Sequence, residues 1–437
     1  MAPPFSRMVA FRYRDFRFLW FGEMVSTAGM QLQLFAINWH VFELLRGGSF
    51  TVNLLGNAFE MSSEALGLGM LGLARVIPVL LFALAGGLLA DRYDRRRVMM
   101  AMRLLAAFVA LTLTALTLAG QISVGMIYLL TALGAAAIAL DYPARQSIEA
   151  NLVAARHLSN AISLNMLVTK IATIVAPALG GLLLAQFNIG LVYGISSVAF
   201  LSAALSITGI RYRGAIVKGA RINGRTLALG IRFTFGKRII MGTMLLDFFA
   251  TLLASSRTML PIVAGEVLGL GALGYGLLAT AQPVGGLLGG LFLSLRGELK
   301  RQGIIFLTSV AVYGLATAAF GISTSFALSY FVFALTGAGD LVSSVIRGTI
   351  RQLMTPDKLR GRMVSVNMMF FMTGPQLGEV RAGLVASVVG APLAIFSGGL
   401  MAALLALWVA WRFPSIRRYN NASDLKRKQS QGGRTGL

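Results

Sequence analysis

Apolar residues run along this chain in long blocks, and polar residues are confined to short interruptions between them. Twelve such blocks begin near residues 17, 66, 98, 123, 158, 189, 239, 272, 303, 327, 361 and 391. A helix needs roughly 20 mainly apolar residues to cross a bilayer, and these blocks meet that length. The pattern predicts an all-α membrane protein with twelve transmembrane helices. Composition agrees: 56% of the 437 residues are hydrophobic and 13% are charged, which excludes an ordinary soluble domain. The N-terminus is basic and leads straight into the first block, so no cleavable signal peptide is expected.

Charge fixes an expected topology. Arg7, Arg12 and Arg14 precede the first block, an Arg-rich run lies between the second and third, and Arg145 and Arg156 flank the next basic loop. The stretch from Arg211 to Arg238 holds eight Lys/Arg and no acid, and the tail from Arg412 holds seven against one Asp. The intervening loops are nearly free of cations. Cytoplasmic loops carry the excess of Lys and Arg, so both termini are expected in the cytoplasm of an inner or plasma membrane protein. The net charge of +23 is spread over loops and forms no basic domain, which argues against nucleic acid as a partner. There is no cysteine, and His40 and His157 are far apart in sequence; neither a thiolate nor a zinc site is expected, and no cofactor.

The two halves repeat. Arg145 is followed 20 residues later by Asn165 and then, after 16 more, by Gly181; Arg347, Asn367 and Gly383 keep the same intervals. Parallel repeats of this kind place a substrate site near the membrane midplane between two bundles. The expected organisation is a cytoplasmic N-terminus (1–16), a six-helix bundle (17–210), a basic cytoplasmic linker (211–238), a second six-helix bundle (239–413) and a disordered basic tail (414–437).

The run from Gly86 to Arg97 carries the most specific signal. Gly87, Asp91, Arg92, Arg96 and Arg97 match the pattern Gly-x3-Asp-Arg/Lys-x-Gly-x-Arg/Lys-Arg/Lys, with Asp94 where a second Gly is usual. An Asx-type side-chain bond from Asp94 is expected to hold that turn instead. This run resembles motif A of the major facilitator superfamily. Asp15-Phe-Arg-Phe-Leu-Trp20, Asp141-Tyr-Pro-Ala-Arg145, Ala176-Pro-Ala-Leu-Gly-Gly181 and Arg360-Gly-Arg-Met-Val-Ser-Val-Asn367 are similar to the branch holding enterobactin exporters and related secretion carriers. Pro177, Gly180 and Gly181 resemble the end of the antiporter motif C. The resemblance implies a secondary transporter working by alternating access. It also implies that Asp91 meets the N-terminal end of the eleventh helix and Arg360 or Arg362, closing the cytoplasmic side. In the second half Ser294 stands where Asp91's counterpart would be, and Arg381 replaces an expected acid.

Ionisable groups inside a membrane are functional candidates by default. Glu23 and Asp247, early in the first and seventh spans, are candidates for a proton-carrying carboxyl or for a hydrogen-bonded structural acid. Asp340 and Arg347, seven apart on one helical face, form either a buried network or a substrate-facing pair. Asp141 and Arg145, four apart, form a gate or structural clamp. Arg75, Lys170 and Arg257 are candidate partners for an anionic ligand, or cations snorkelling to an interface. The function expected is export of small amphipathic molecules, siderophore or drug-like, by proton antiport, with membrane lipids as surroundings and a monomer as the unit. The alternatives are uptake or flipping of a lipid-like substrate and, outside transport, a membrane sensor. No Gly-x-Ser-x-Gly elbow or ATP-binding loop supports an enzyme.

Overall fold

A computed structural model describes residues 8–54, 57–149, 151–212, 232, 234–296 and 299–420. Twelve long helices dominate the described residues: α1 Arg14–Leu45, α2 Ser63–Arg92, α3 Arg95–Leu118, α4 Val124–Glu149, α5 Leu158–Gln186, α6 Ile189–Thr208, α7 Arg238–Ala254, α8 Gly271–Leu295, α9 Gln302–Ile322, α10 Phe326–Met354, α11 Asp357–Val389 and α12 Ala391–Arg412. Among the described residues ten segments, those of α2 to α10 and α12, are long and apolar enough to cross a membrane. The other two long helices, α1 and α11, have 32 and 33 residues with more polar side chains among the apolar ones. The blocks read from sequence and the helix starts agree to within four residues, because continuous apolar helices buried in lipid need no amphipathic stripe.

Local chemistry sets several helix starts. The Ser62 hydroxyl accepts from the Ala65 N–H at 3.2 Å, and the Asn188 side chain accepts from Leu191 N–H at 2.9 Å. Each satisfies a first-turn amide that the helix leaves without a partner. Asp94 does the same for α3: its carboxylate accepts from the Arg96 N–H at 3.0 Å, the Asx-type turn expected where the motif usually carries glycine.

Two features depart from the sequence reading. A β-hairpin, β1 Ser49–Leu54 against β2 Asn57–Ser62, lies between α1 and α2 in antiparallel register from Ser49↔Ser62 to Leu54↔Asn57. A search for membrane-length blocks passes over strands of six residues. The seventh span is also not continuous. Ser255 leaves α7 in extended geometry, and the chain continues as a 3-10 turn Arg257–Met259, a helical turn Leu260–Ile262 and a π-turn Val263–Val267. Pro261 cannot donate back to residue 257, and its ring crowds that carbonyl. The Arg381 guanidinium on α11 donates to the Leu253 carbonyl at this break, meeting an acceptor that the end of α7 leaves open.

The chain forms two compact units. The first comprises Met1–Ile222 with Thr258–Thr280, and the second Asn223–Arg257 with Ala281–Leu437. Phe16, Leu19, Met99, Ile148 and Ile207 centre a core cluster in the first; Leu246, Phe306, Val310, Ile346 and Ile350 do so in the second. In the second unit α8 and α10 touch through backbone: a Cβ on Gly337 would lie 1.8 Å from the Gln282 carbonyl oxygen. Only glycine permits that approach.

Candidate functional site

In the first unit four charged side chains from three helices close on one another. Glu23 on α1 meets Arg103 of α3 at 2.5 Å and Arg145 of α4 at 2.7 Å. Asp141, one turn before Arg145, meets Arg103 at 3.2 Å and the Arg145 Nε at 3.7 Å. Glu23 is 6% exposed and Asp141 7%. Two carboxylates and two guanidiniums thus neutralise each other where unpaired charge is expensive. Asp141 and Arg145 pair as their spacing suggests, and Arg145 also lies over the Tyr142 ring at 5.3 Å. Sequence reasoning missed Arg103. It sits six residues past the basic run of the motif, and its apolar flanks mark it as an intramembrane cation.

The second unit keeps the frame and changes the charges. Asp247 on α7 makes an ion pair with Arg347 on α10, and Arg347 also reaches the Ser343 and Ser344 hydroxyls at 3.2 and 3.4 Å. Arg347 is 2% exposed. One turn further on, the Arg351 guanidinium donates to the Asn367 side-chain oxygen on α11. Asp340 does not pair with Arg347. Seven residues are about 10.5 Å of helix rise, and Arg347 turns across to α7 instead. Asp340 is half-buried and has neither hydrogen bond nor ion pair among the described residues; the Asp247 carboxyl and the Tyr313 phenol lie within its electrostatic reach. The repeat extends to these contacts. Arg145 and Arg347 are equivalent, and so are Asn165 and Asn367. Asn165 faces Glu149, whereas Asn367 faces Arg351, the residue equivalent to Glu149. Neither Glu149 nor Arg351 was singled out from sequence, since both stand near helix ends where charges are ordinary.

The remaining candidates are dispersed. Arg75 donates to the Asn38 side chain at 2.9 Å. Arg257, at the exposed break after α7, donates to Gln282 at 2.5 Å. Lys170 is exposed midway along α5 and makes no ion pair among the described residues. In the motif run, Arg96 reaches the Ile207 and Thr208 carbonyls at the end of α6, at 3.4 and 3.5 Å, while Arg92 lies over Tyr93 at 5.9 Å and Arg97 is exposed. The side chains of Asp91, Arg360 and Arg362, expected to form the cytoplasmic closure, lie outside the described residues, and Gly87 stands within α2. Pro177 sits inside α5. Gly180 packs against the Phe35 ring, and Gly181 meets Gly276 backbone to backbone. Among the described residues no cluster of three His, Asp or Glu side chains is arranged to hold a metal ion.

Long apolar helices, buried charge networks and a repeat that extends to individual contacts describe a transporter. A family model described as transmembrane secretion effector matches residues 5–431. The chain belongs to this family. It is a major facilitator superfamily transporter and not an enzyme. The enterobactin exporter EntS of Shigella boydii serotype 18 is 28% identical over 309 residues, covering 69% of this chain and 72% of that protein. Among solved structures, the nucleoside transporter NupG aligns with a TM-score of 0.70 at 12% identity, covering 93% of this chain and 99% of that one. The peptide transporter POT in complex with sulfate aligns at 0.67 and 16%, covering 93% and 95%. At those identities the two structures share a fold with this secretion-effector chain, and that alone.

Proposed function

We propose that this transporter exports small amphipathic molecules, siderophore or drug-like, across the inner membrane by proton antiport, as a monomer with both termini in the cytoplasm. The exporter relatives support the direction and the siderophore class. The distribution of basic residues supports the orientation. One observation carries the coupling: Asp340 is a half-buried carboxyl inside a membrane helix with no ion-pair partner among the described residues, beside the Asp247–Arg347 pair. A carboxyl so placed can take and release a proton without breaking an ion pair of its own. Its protonation state in turn changes the field at Asp247, whose hold on Arg347 spans α7 and α10. Glu23 is a poorer carrier in this reading, since taking a proton there would forfeit two guanidinium contacts. Arg347, Arg351, Arg75, Arg257 and Lys170 offer positive charge to an anionic group on the substrate.

The test is transport in proteoliposomes with enterobactin inside and an imposed pH gradient. Collapse of the gradient should stop efflux, and Asp340→Asn should remove the dependence on the gradient while leaving the protein folded. Efflux that ignores the gradient in the unaltered protein would end the antiport reading.

A further inference from the structure

An apolar groove runs along the first unit between α1, α5 and α6. Its volume is about 480 Å³, within the range of roughly 300–1,000 Å³ found for small-molecule sites. On α5, Leu167, Ile171, Val175 and Leu179 recur at every fourth position and form an exposed wall. Met24 and Ala28 of α1 line the other side. The floor is closed where α1 meets α6, since a Cβ on Gly29 would come within 2.7 Å of the Ala199 Cβ. From Leu164 to Leu179 the α5 side extends about 22 Å. That is longer than one leaflet's share of a hydrocarbon core roughly 30 Å thick. The lining residues are apolar or aromatic throughout.

One end of the groove has a charged mouth. Met8 and Phe11 line that end, at the 3-10 turn Val9–Arg12. The turn is fixed to the start of α5: the Asn160 side-chain oxygen accepts from the Ala10 N–H at 3.1 Å, and the Tyr13 hydroxyl lies 2.9 Å from the His157 Nδ1. Arg12, next to Phe11, and Arg156, next to His157, are thereby brought to the same end. Arg17 heads the α1 stripe that continues through Met24 and Ala28. All three arginines are exposed and make no ion pair among the described residues. Asp15, the acid of this stretch, is taken up by the Arg211 and Tyr212 N–H groups at 2.9 and 2.8 Å. A purely apolar channel thus ends in a positive mouth.

We propose that this groove holds one acyl chain of an anionic phospholipid, with the lipid's acidic head on Arg12, Arg17 and Arg156. A free anion would leave the channel empty, and an uncharged lipid would leave the arginines unanswered; an anionic phospholipid satisfies both. Bound there, it ties the N-terminal turn to α1 and α5. With both termini in the cytoplasm, as proposed above, the lipid belongs to the cytoplasmic leaflet. The binding itself does not depend on that orientation or on transport.

The test is native mass spectrometry of the full chain, delipidated in detergent and titrated with dioleoyl phosphatidylglycerol or dioleoyl phosphatidylcholine. Phosphatidylglycerol should bind to the monomer at one equivalent, and at least about tenfold more tightly than phosphatidylcholine, since each arginine near an anionic head contributes roughly fivefold. Arg12→Gln, Arg17→Gln and Arg156→Gln combined should remove the preference and leave the weaker binding common to both lipids. Ala28→Phe and Ile171→Trp, which fill the groove from its two sides, should each remove the one-equivalent step. Ile171 is exposed, so its variant should keep the thermal unfolding transition of the unaltered protein. Equal binding of the two lipids, a phosphatidylglycerol preference that survives Ile171→Trp in folded protein, or a lipid-free dimer that buries the groove would overturn the proposal.

Discussion

The two units carry the same frame with opposite electrical habits. In the first, Glu23, Asp141, Arg103 and Arg145 close into a neutral ring of contacts. In the second, the equivalent arginine, Arg347, has Asp247 as its ionic partner among the described residues; Arg103 and Asp141 have no charged counterparts at the matching positions Ile305 and Ser343. Asp340, a carboxyl with no ion pair among the described residues, and a second buried arginine, Arg351, stand nearby. The two halves share the scaffold positions, arginine on α4 and α10 and asparagine on α5 and α11, while the charges around them differ. The difference teaches where a proton can be exchanged at low cost. A saturated network resists any change of charge, and an unsaturated one responds to it.

Breaking the saturated network should have the largest effect on stability. Arg103→Met leaves two buried acids with one arginine between them. Removing one partner of a buried pair typically costs about 3–5 kcal/mol, and thermal unfolding in detergent should register a loss of that order. Asp247→Asn should cost less, since Arg347 retains the Ser343 and Ser344 hydroxyls; its main effect should be on turnover, measured beside an unfolding curve. If Asp247→Asn destabilises as much as Arg103→Met, the two units do not differ as described.

Asp340→Asn sharpens the comparison from the other side. No ion pair is lost, so stability should move by under about 1 kcal/mol, within the range of a substitution that breaks no specific contact, while gradient-driven transport falls. Asp94→Ala is a local control: loss of an N-cap typically costs about 1 kcal/mol, with coupling to the pH gradient intact. A larger loss, or loss of coupling, would assign the motif-A turn a part beyond capping α3.

Much of this was legible in the sequence. Helix order followed from apolar block length because lipid imposes one requirement on every span. The Asp94 turn followed from side-chain chemistry at a fixed spacing. Partners were harder. Arg103 pairs with residues 80 and 38 positions away, and no local pattern encodes such pairing. Asp340 and Arg347 share a helical face, yet the face alone does not say that Arg347 reaches across to α7. The break after Ala254 was concealed by apolar residues on both sides, although Ser255, Ser256 and Pro261 were visible signs of it.

The most direct test of the central difference is proton release or uptake by the purified protein in detergent when enterobactin is added, compared between Asp340→Asn and Glu23→Gln. The account predicts that Asp340→Asn abolishes the substrate-linked proton exchange and that Glu23→Gln, in protein that remains folded, preserves it. Exchange abolished by Glu23→Gln and untouched by Asp340→Asn would place the titrating carboxyl in the first unit and contradict the account.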